Sequence, residues 1–281
     1  ERHYQNISDF DKMYLIQYEK ATIYYERSGH GQPLLIVHGA IEGTRYFREL
    51  VELLRDYYEV FTYDRRGNGR SSCEEGASFD LDMQVSDAAA IITALDLKNV
   101  ILIGHSAGGT IALETFKKVS ARIAHVIIYE TPIYTLIKDE KPELYEWVGK
   151  MIALRDEGKM KEVAKEFAIS IGTMDERARK KEPYEKALDR EDFKHFIKYE
   201  FPVFSFYEPD IEFFKLNADY ISVMVGDRSM DSNLSWASQK FAETIGAQIF
   251  HVAGYHNLPY DLPLDFAVSV LGILRIIKAQ H

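Results

Sequence analysis

"NVILIGHSAGG", residues 99–109, is an apolar run that closes on glycine, histidine and serine and then passes into residues that suit a helix. An apolar run of roughly four to eight residues reads as a strand buried on both faces, as in a parallel sheet. Gly104 and Gly108 bracket Ser106 at Gly-x-Ser-x-Gly spacing. Between a strand and a helix, that spacing describes a nucleophile elbow. The turn is so tight that side chains two residues either side of the serine would collide. Its strain lifts the Ser106 hydroxyl clear of the sheet, and the N-terminus of the next helix faces developing negative charge.

Outward from this stretch, strands and helices alternate. "LLIVHG" (34–39), "YEVFTYD" (58–64) and "HVIIYE" (125–130) read as further strands, with amphipathic segments at 46–54, 82–95 and 108–118 between them. Such alternation implies an α/β protein with a mostly parallel central sheet flanked by helices. "KATIYYERSGHG" (20–31) alternates and then turns on glycines, as an antiparallel opening hairpin would. The alternation stops from 134 to 208, where the pattern is helical throughout. It resumes with "ADYISVMVGD" (218–227), a helix at 239–247, "QIFHVAG" (248–254) and a last helix at 264–277. The expected organisation is a core of residues 1–133 and 209–281, interrupted by a helical cap at 134–208.

Composition narrows the function. The 281 residues are 46% hydrophobic and 28% charged, ordinary for a globular chain. A net charge of −10 argues against a nucleic-acid surface, which needs a basic face. No window is apolar enough for a membrane span, so no membrane partner is expected. The opening "ERHYQNISDFDKMYLIQ" is too polar for a signal peptide. With Cys73 as the single cysteine, a cytoplasmic setting is expected. No His/Cys/Asp set has ligand spacing, so neither metal nor cofactor is expected. Oligomeric state is not legible.

"VHGA" (37–40), "YDRRGNGRS" (63–71), "GHSAGG" (104–109) and "AGYHNLPYDLP" (253–263) together resemble the α/β-hydrolase family over nearly the whole length. The resemblance implies that the backbone N–H groups of Ala40 and Ala107 form an oxyanion hole, and that Asp64 and Arg65 fasten a structural turn. His38 and His105 are read as packing residues of the flanking loops, and His195 and His251 as surface or packing residues. A serine hydroxyl needs a base. Only His256 follows the last predicted strand, where the family places that base.

The base needs an acid to fix its tautomer. The family's more usual acid lies three residues beyond the glycine after "YISVMVG"; here that residue is Ser229, with Asp227 early and Asp231 late. A minority of members, zearalenone lactonases among them, move the acid to the end of the preceding strand, where this chain has Glu130 in "YETP". A carboxylate ending an apolar strand is costly to bury without a partner. Glu130 is therefore preferred, with Asp227 and Asp231 as alternatives.

In the family a helical insert at this position forms a lid. Phe193, Phe196, Tyr199, Phe201, Phe204 and Phe206, with Tyr134 and Trp147, are candidates to line an apolar pocket, although aromatics at helical spacing are more often core. The expected function is a serine hydrolase cleaving a carboxylic ester or lactone through an acyl-enzyme. A serine nucleophile argues against dehalogenase and epoxide-hydrolase chemistry. A carbon–carbon bond hydrolase, a perhydrolase of haloperoxidase type and a slow-turnover ligand receptor remain as alternatives.

Overall fold

The apolar runs assemble into one sheet in the computed structural model, which describes residues 14–40, 43–171 and 190–280. Its strands are β1 (Tyr14–Tyr18), β2 (Ala21–Gly29), β3 (Pro33–Val37), β4 (Glu59–Tyr63), β5 (Ser72–Cys73), β6 (Val100–His105), β7 (Ile123–Tyr129), β8 (Ile221–Gly226) and β9 (Gln248–Val252). Their order is β1-β2-β4-β3-β6-β7-β8-β9, with β5 pairing β2. β3, β4, β6, β7, β8 and β9 run parallel, and β2 pairs antiparallel with both β1 and β4.

The opening hairpin differs from its expected form. It joins β1 to β2 through Glu19 and Lys20, both at positive φ (39° and 56°), and the glycines at the far end of β2 lead into β3 without pairing to it. Positive φ at both central residues matches the strand twist in a two-residue turn, and it can be adopted without the Asn-Gly signature that sequence reading looks for.

The period-2 alternation of the central strands divides the core. Leu35, Val37, Val100 and Leu102 face one cluster, while Leu34, Ile36, Ile101 and Ile103 face the other. Helices α1 (Arg48–Leu54), α2 (Leu81–Ala94) and α3 (Ala107–Lys118) provide the cover. α2 packs with α3, and α1 packs with the final helix, Pro263–Gln280. Another helix, expected at 239–247, begins earlier, at Asn233, because Ser232 caps it by accepting from Ser235 N–H at 3.1 Å.

Between 134 and 208 the described residues form only helices and their connections, including Pro142–Asp156 and Met160–Ile171. Gly172, a residue type that commonly ends a helix, follows the latter and lies outside the described residues. A third helix changes pitch midway: Glu191–His195 is α, Phe196–Glu200 widens into a π turn, and Phe201–Ser205 is α again. Pro202 gives the reason, since it has no N–H to donate to Lys198 O, and Phe201 N–H bonds instead to Phe196 O.

Candidate active site

Five adjacent strand ends set the site's geometry. β6 pairs on one side with β3 (Gly104 opposite Val37) and on the other with β7 (His105 opposite Tyr129). The loops after β3, β6, β7, β8 and β9 therefore leave the same carboxyl edge, where open α/β sheets bind ligands.

Ser106 follows β6 directly and has φ 54°, ψ −130°, a strained conformation for a residue with a side chain. Its turn is held by Ser106 N–H donating to Tyr129 O at 2.9 Å. The bracketing glycines are steric requirements. A Cβ at Gly104 would lie 2.4 Å from Gly109 Cα, and one at Gly108 only 2.1 Å from Val37 O. Gly108→Ala is accordingly expected to destabilise by about 3 kcal/mol, the upper end for overpacking, read as a lower urea midpoint. Ala107 is the first residue of α3, so its N–H lies ahead of the helix's own hydrogen-bond ladder.

Glu130 leaves β7 with φ 47° and is 0% exposed. Its Oε2 accepts from His256 Nδ1 at 2.9 Å, and its Oε1 accepts from Gly226 N–H at 2.9 Å and from the Ser229 hydroxyl. One carboxylate thus ties three strand ends together. Its buried charge is matched by donors on both oxygens, the condition under which such burial is tolerated. Asp227 is exposed and fastens the neighbouring loop, accepting from Gly254 N–H at 2.9 Å; Asp231 is also exposed. Of the three candidate acids, Glu130 is the one hydrogen-bonded to His256. Ser229 carries a role that the sequence reading did not assign. It stands where the commoner acid would be and supplies a hydroxyl to Glu130; the missing aspartate three residues after Gly226 was the signal.

The flanking histidines hold loops. His105 Nε2 donates to His256 O at 2.8 Å, and its ring stacks between Tyr46 and Tyr129. His38 Nε2 accepts from Arg65 N–H at 2.9 Å, so its Nδ1 carries the proton and donates to Gly39 O at 2.9 Å. Burial, and then the Arg65 charge, push the His38 pKa well down, which keeps the ring neutral. His251 is exposed on β9, and His195 packs edge-on against Phe79.

Asp64 fastens its turn, with Oδ1 accepting from Thr44 N–H at 2.7 Å and Oδ2 from Arg70 N–H at 2.8 Å. Arg65 reaches further. Fully buried, it donates through Nη1 to Glu200 Oε2 at 2.7 Å and to Gln84, and through Nη2 to Gly39 O at 2.9 Å. Burial opposes ionisation of Glu200, but the Arg65 charge and His195 outweigh it and leave the carboxyl below its ordinary 4.5. A depressed acid contributes its stability above the unfolded value and loses it as pH falls through the native one. Glu200→Gln is therefore expected to flatten the fall in urea midpoint below pH 4.5 relative to wild type.

Ser106 opens into a cavity lined by Ala40, Ala107, Tyr134, Trp147, Phe167, Ile171, Phe196, Phe201, Phe204 and Leu234, with Pro132, Ser170 and Ser205. Tyr134 and Trp147 are thus brought to Ser106. Among the six aromatics of 193–206, Phe196, Phe201 and Phe204 line the cavity, Phe193 is buried core, and Tyr199 and Phe206 are exposed. The exposure of these last two corrects the broader expectation: the π turn and the helix end turn them to solvent. The cavity volume is about 30 Å³, above the roughly 10–15 Å³ that a single buried water requires. Among the described residues no group of three or more His, Cys, Asp or Glu side chains could hold a metal, and no helix is long and apolar enough to cross a membrane.

A parallel sheet with a strained serine after its central strand, and a histidine–carboxylate pair on neighbouring loops, defines a hydrolase-fold site. The family model for the alpha/beta hydrolase fold matches residues 32–218, and the chain belongs to that family. Among curated relatives, a non-heme haloperoxidase of Rhodococcus erythropolis is 33% identical over 124 residues, 43% of this chain and 45% of that protein. A cis-3-alkyl-4-alkyloxetan-2-one decarboxylase of Shewanella oneidensis is 30% identical over 123 residues, 43% of this chain and 38% of that protein. The chain thus matches less than half the length of each. The structure of a thermophilic esterase from Thermogutta terrifontis shares the fold, with TM-score 0.74 and 20% identity over 95% of this chain and 99% of that one.

Proposed function

We propose that this protein is a cofactor-free serine hydrolase acting on a carboxylic ester or lactone. The observation that carries the reading is the buried His256–Glu130 pair, 2.9 Å apart, on loops beside the strained Ser106. His256 Nε2 takes the Ser106 proton as Oγ attacks the carbonyl carbon, and Glu130 stabilises the imidazolium. The N–H groups of Ala40 and Ala107 stabilise the oxyanion, each donor worth on the order of 10²–10³ in rate. Collapse expels the alcohol, which His256 protonates. Water then attacks the acyl-enzyme with His256 again as base, and the acid leaves Ser106 regenerated.

The apolar walls from Tyr134, Trp147 and the four phenylalanines favour a small, hydrophobic, uncharged substrate. We take residues 134–208 as a cap over a core of 1–133 and 209–281. The lone, free Cys73 supports a cytoplasmic setting, and no nucleic-acid or membrane partner is proposed. The test is turnover of short-chain aryl esters and lactones, with mass spectrometry of the Ser106 peptide for an acyl adduct. Turnover with that adduct is expected. An inert protein with no adduct would sink the proposal and favour a ligand-binding role. A second reading, perhydrolysis, is favoured by the haloperoxidase relatives; peroxide would then replace water at the acyl-enzyme, giving peracid faster than acid.

A further inference from the structure

The candidate oxyanion hole is reached by a chain of buried polar contacts that ends on the helical segment. Gly39 O accepts from two donors, the neutral His38 at Nδ1 and the Arg65 guanidinium at Nη2, each at 2.9 Å. The Gly39–Ala40 peptide is trans, as are all the described peptide bonds. Its carbonyl and the Ala40 N–H therefore point in opposite directions. Pinning the carbonyl on the Arg65 side sends the N–H to the other, and Ala40 lines the cavity that holds Ser106. A charged donor on the carbonyl also polarises the peptide, which strengthens its N–H as a donor.

Arg65 is not held from its own domain alone. It is 1% exposed, and the carboxylate facing it, Glu200, is 0% exposed and belongs to the π turn of the helical segment. Glu200 Oε1 also receives Asn68 Nδ2 at 3.4 Å, from the same turn as Arg65. A buried guanidinium without its carboxylate would be drawn toward water, away from Gly39 O.

We propose that Arg65 is a positioning residue for the oxyanion hole, and that Glu200 fixes it there, so that seating of the helical segment aligns the Gly39–Ala40 peptide for catalysis. Closure of the segment and assembly of the site are then one event. This inference rests on the serine-hydrolase reading above and goes beyond it in assigning two residues that touch neither substrate nor nucleophile.

The experiment compares wild type, Arg65→Lys and Glu200→Gln by steady-state ester hydrolysis and by the rate at which a fluorophosphonate labels Ser106. Lysine keeps the charge but lacks the fork that spans Gly39 O and Glu200 together. Glutamine keeps the shape of Glu200 and removes its charge. Both variants are expected to lose on the order of 10² in kcat with KM nearly unchanged, the signature of an interaction made only in the transition state, and to label more slowly by a similar factor. Labelling at the wild-type rate would overturn the proposal while leaving Ser106 as nucleophile. A loss confined to KM would also overturn it, by moving the pair to ground-state binding. If neither variant folds, the pair is purely structural and the proposal fails. A folded wild type that does not label at all refutes the serine reading itself, an outcome distinct from these.

Discussion

Ser106→Ala is expected to lower kcat for an aryl ester by about 10⁶, the scale seen when a serine nucleophile is removed from a triad. The burst of phenol that marks acyl-enzyme formation should vanish with it. No other described residue shares the geometry of Ser106, at the carboxyl end of a central strand with its backbone at φ 54° beside the first N–H of α3. Alanine occupies the same strained turn without adding atoms, and thermal stability should be close to wild type. Turnover retained in a folded Ser106→Ala would mean that water is activated directly, and the acyl-enzyme scheme would fall.

Glu130→Gln is expected to cost on the order of 10⁴ in kcat, as when an amide replaces the carboxylate of a serine-protease triad. The substitution keeps the shape. Gly226 N–H and the Ser229 hydroxyl can still donate to the remaining oxygen. The other position becomes an NH₂ facing His256 Nδ1. The ring must then accept there and carry its proton on Nε2, the atom that has to receive the serine proton. Stability should hold or rise, because a buried charge has been removed. The paired measurement is kcat and thermal midpoint. Full activity would assign His256 another carboxylate, with Asp227 next in line through its hold on Gly254.

Much of this was legible before the structure. Apolar strands buried on both faces, as in "VILIGH", carry their own signature, and the elbow's glycines are dictated by contacts as short as 2.1 Å. Glu130 was readable because a carboxylate ending such a strand demands a partner. What was not legible depended on meetings distant in sequence. Ser229 comes within hydrogen-bonding reach of Glu130, 99 residues away, and Glu200 meets Arg65 across 135. Neither carries a local pattern that names its partner. The hairpin at Glu19–Lys20 escaped notice because its turn lacks glycine, and the π turn because its cause, Pro202, sits one turn downstream of where the pitch changes.

The aromatic walls that close over Ser106 have a kinetic consequence. Where a ligand needs the aromatic walls to separate, only the separated conformation binds it. Measured affinity is then the intrinsic affinity scaled by the fraction of molecules open: with roughly one in a hundred open, a substrate binds about a hundredfold more weakly than its contacts alone would give. Substrates would be ranked by how well they hold the walls apart as much as by how readily their carbonyl reacts.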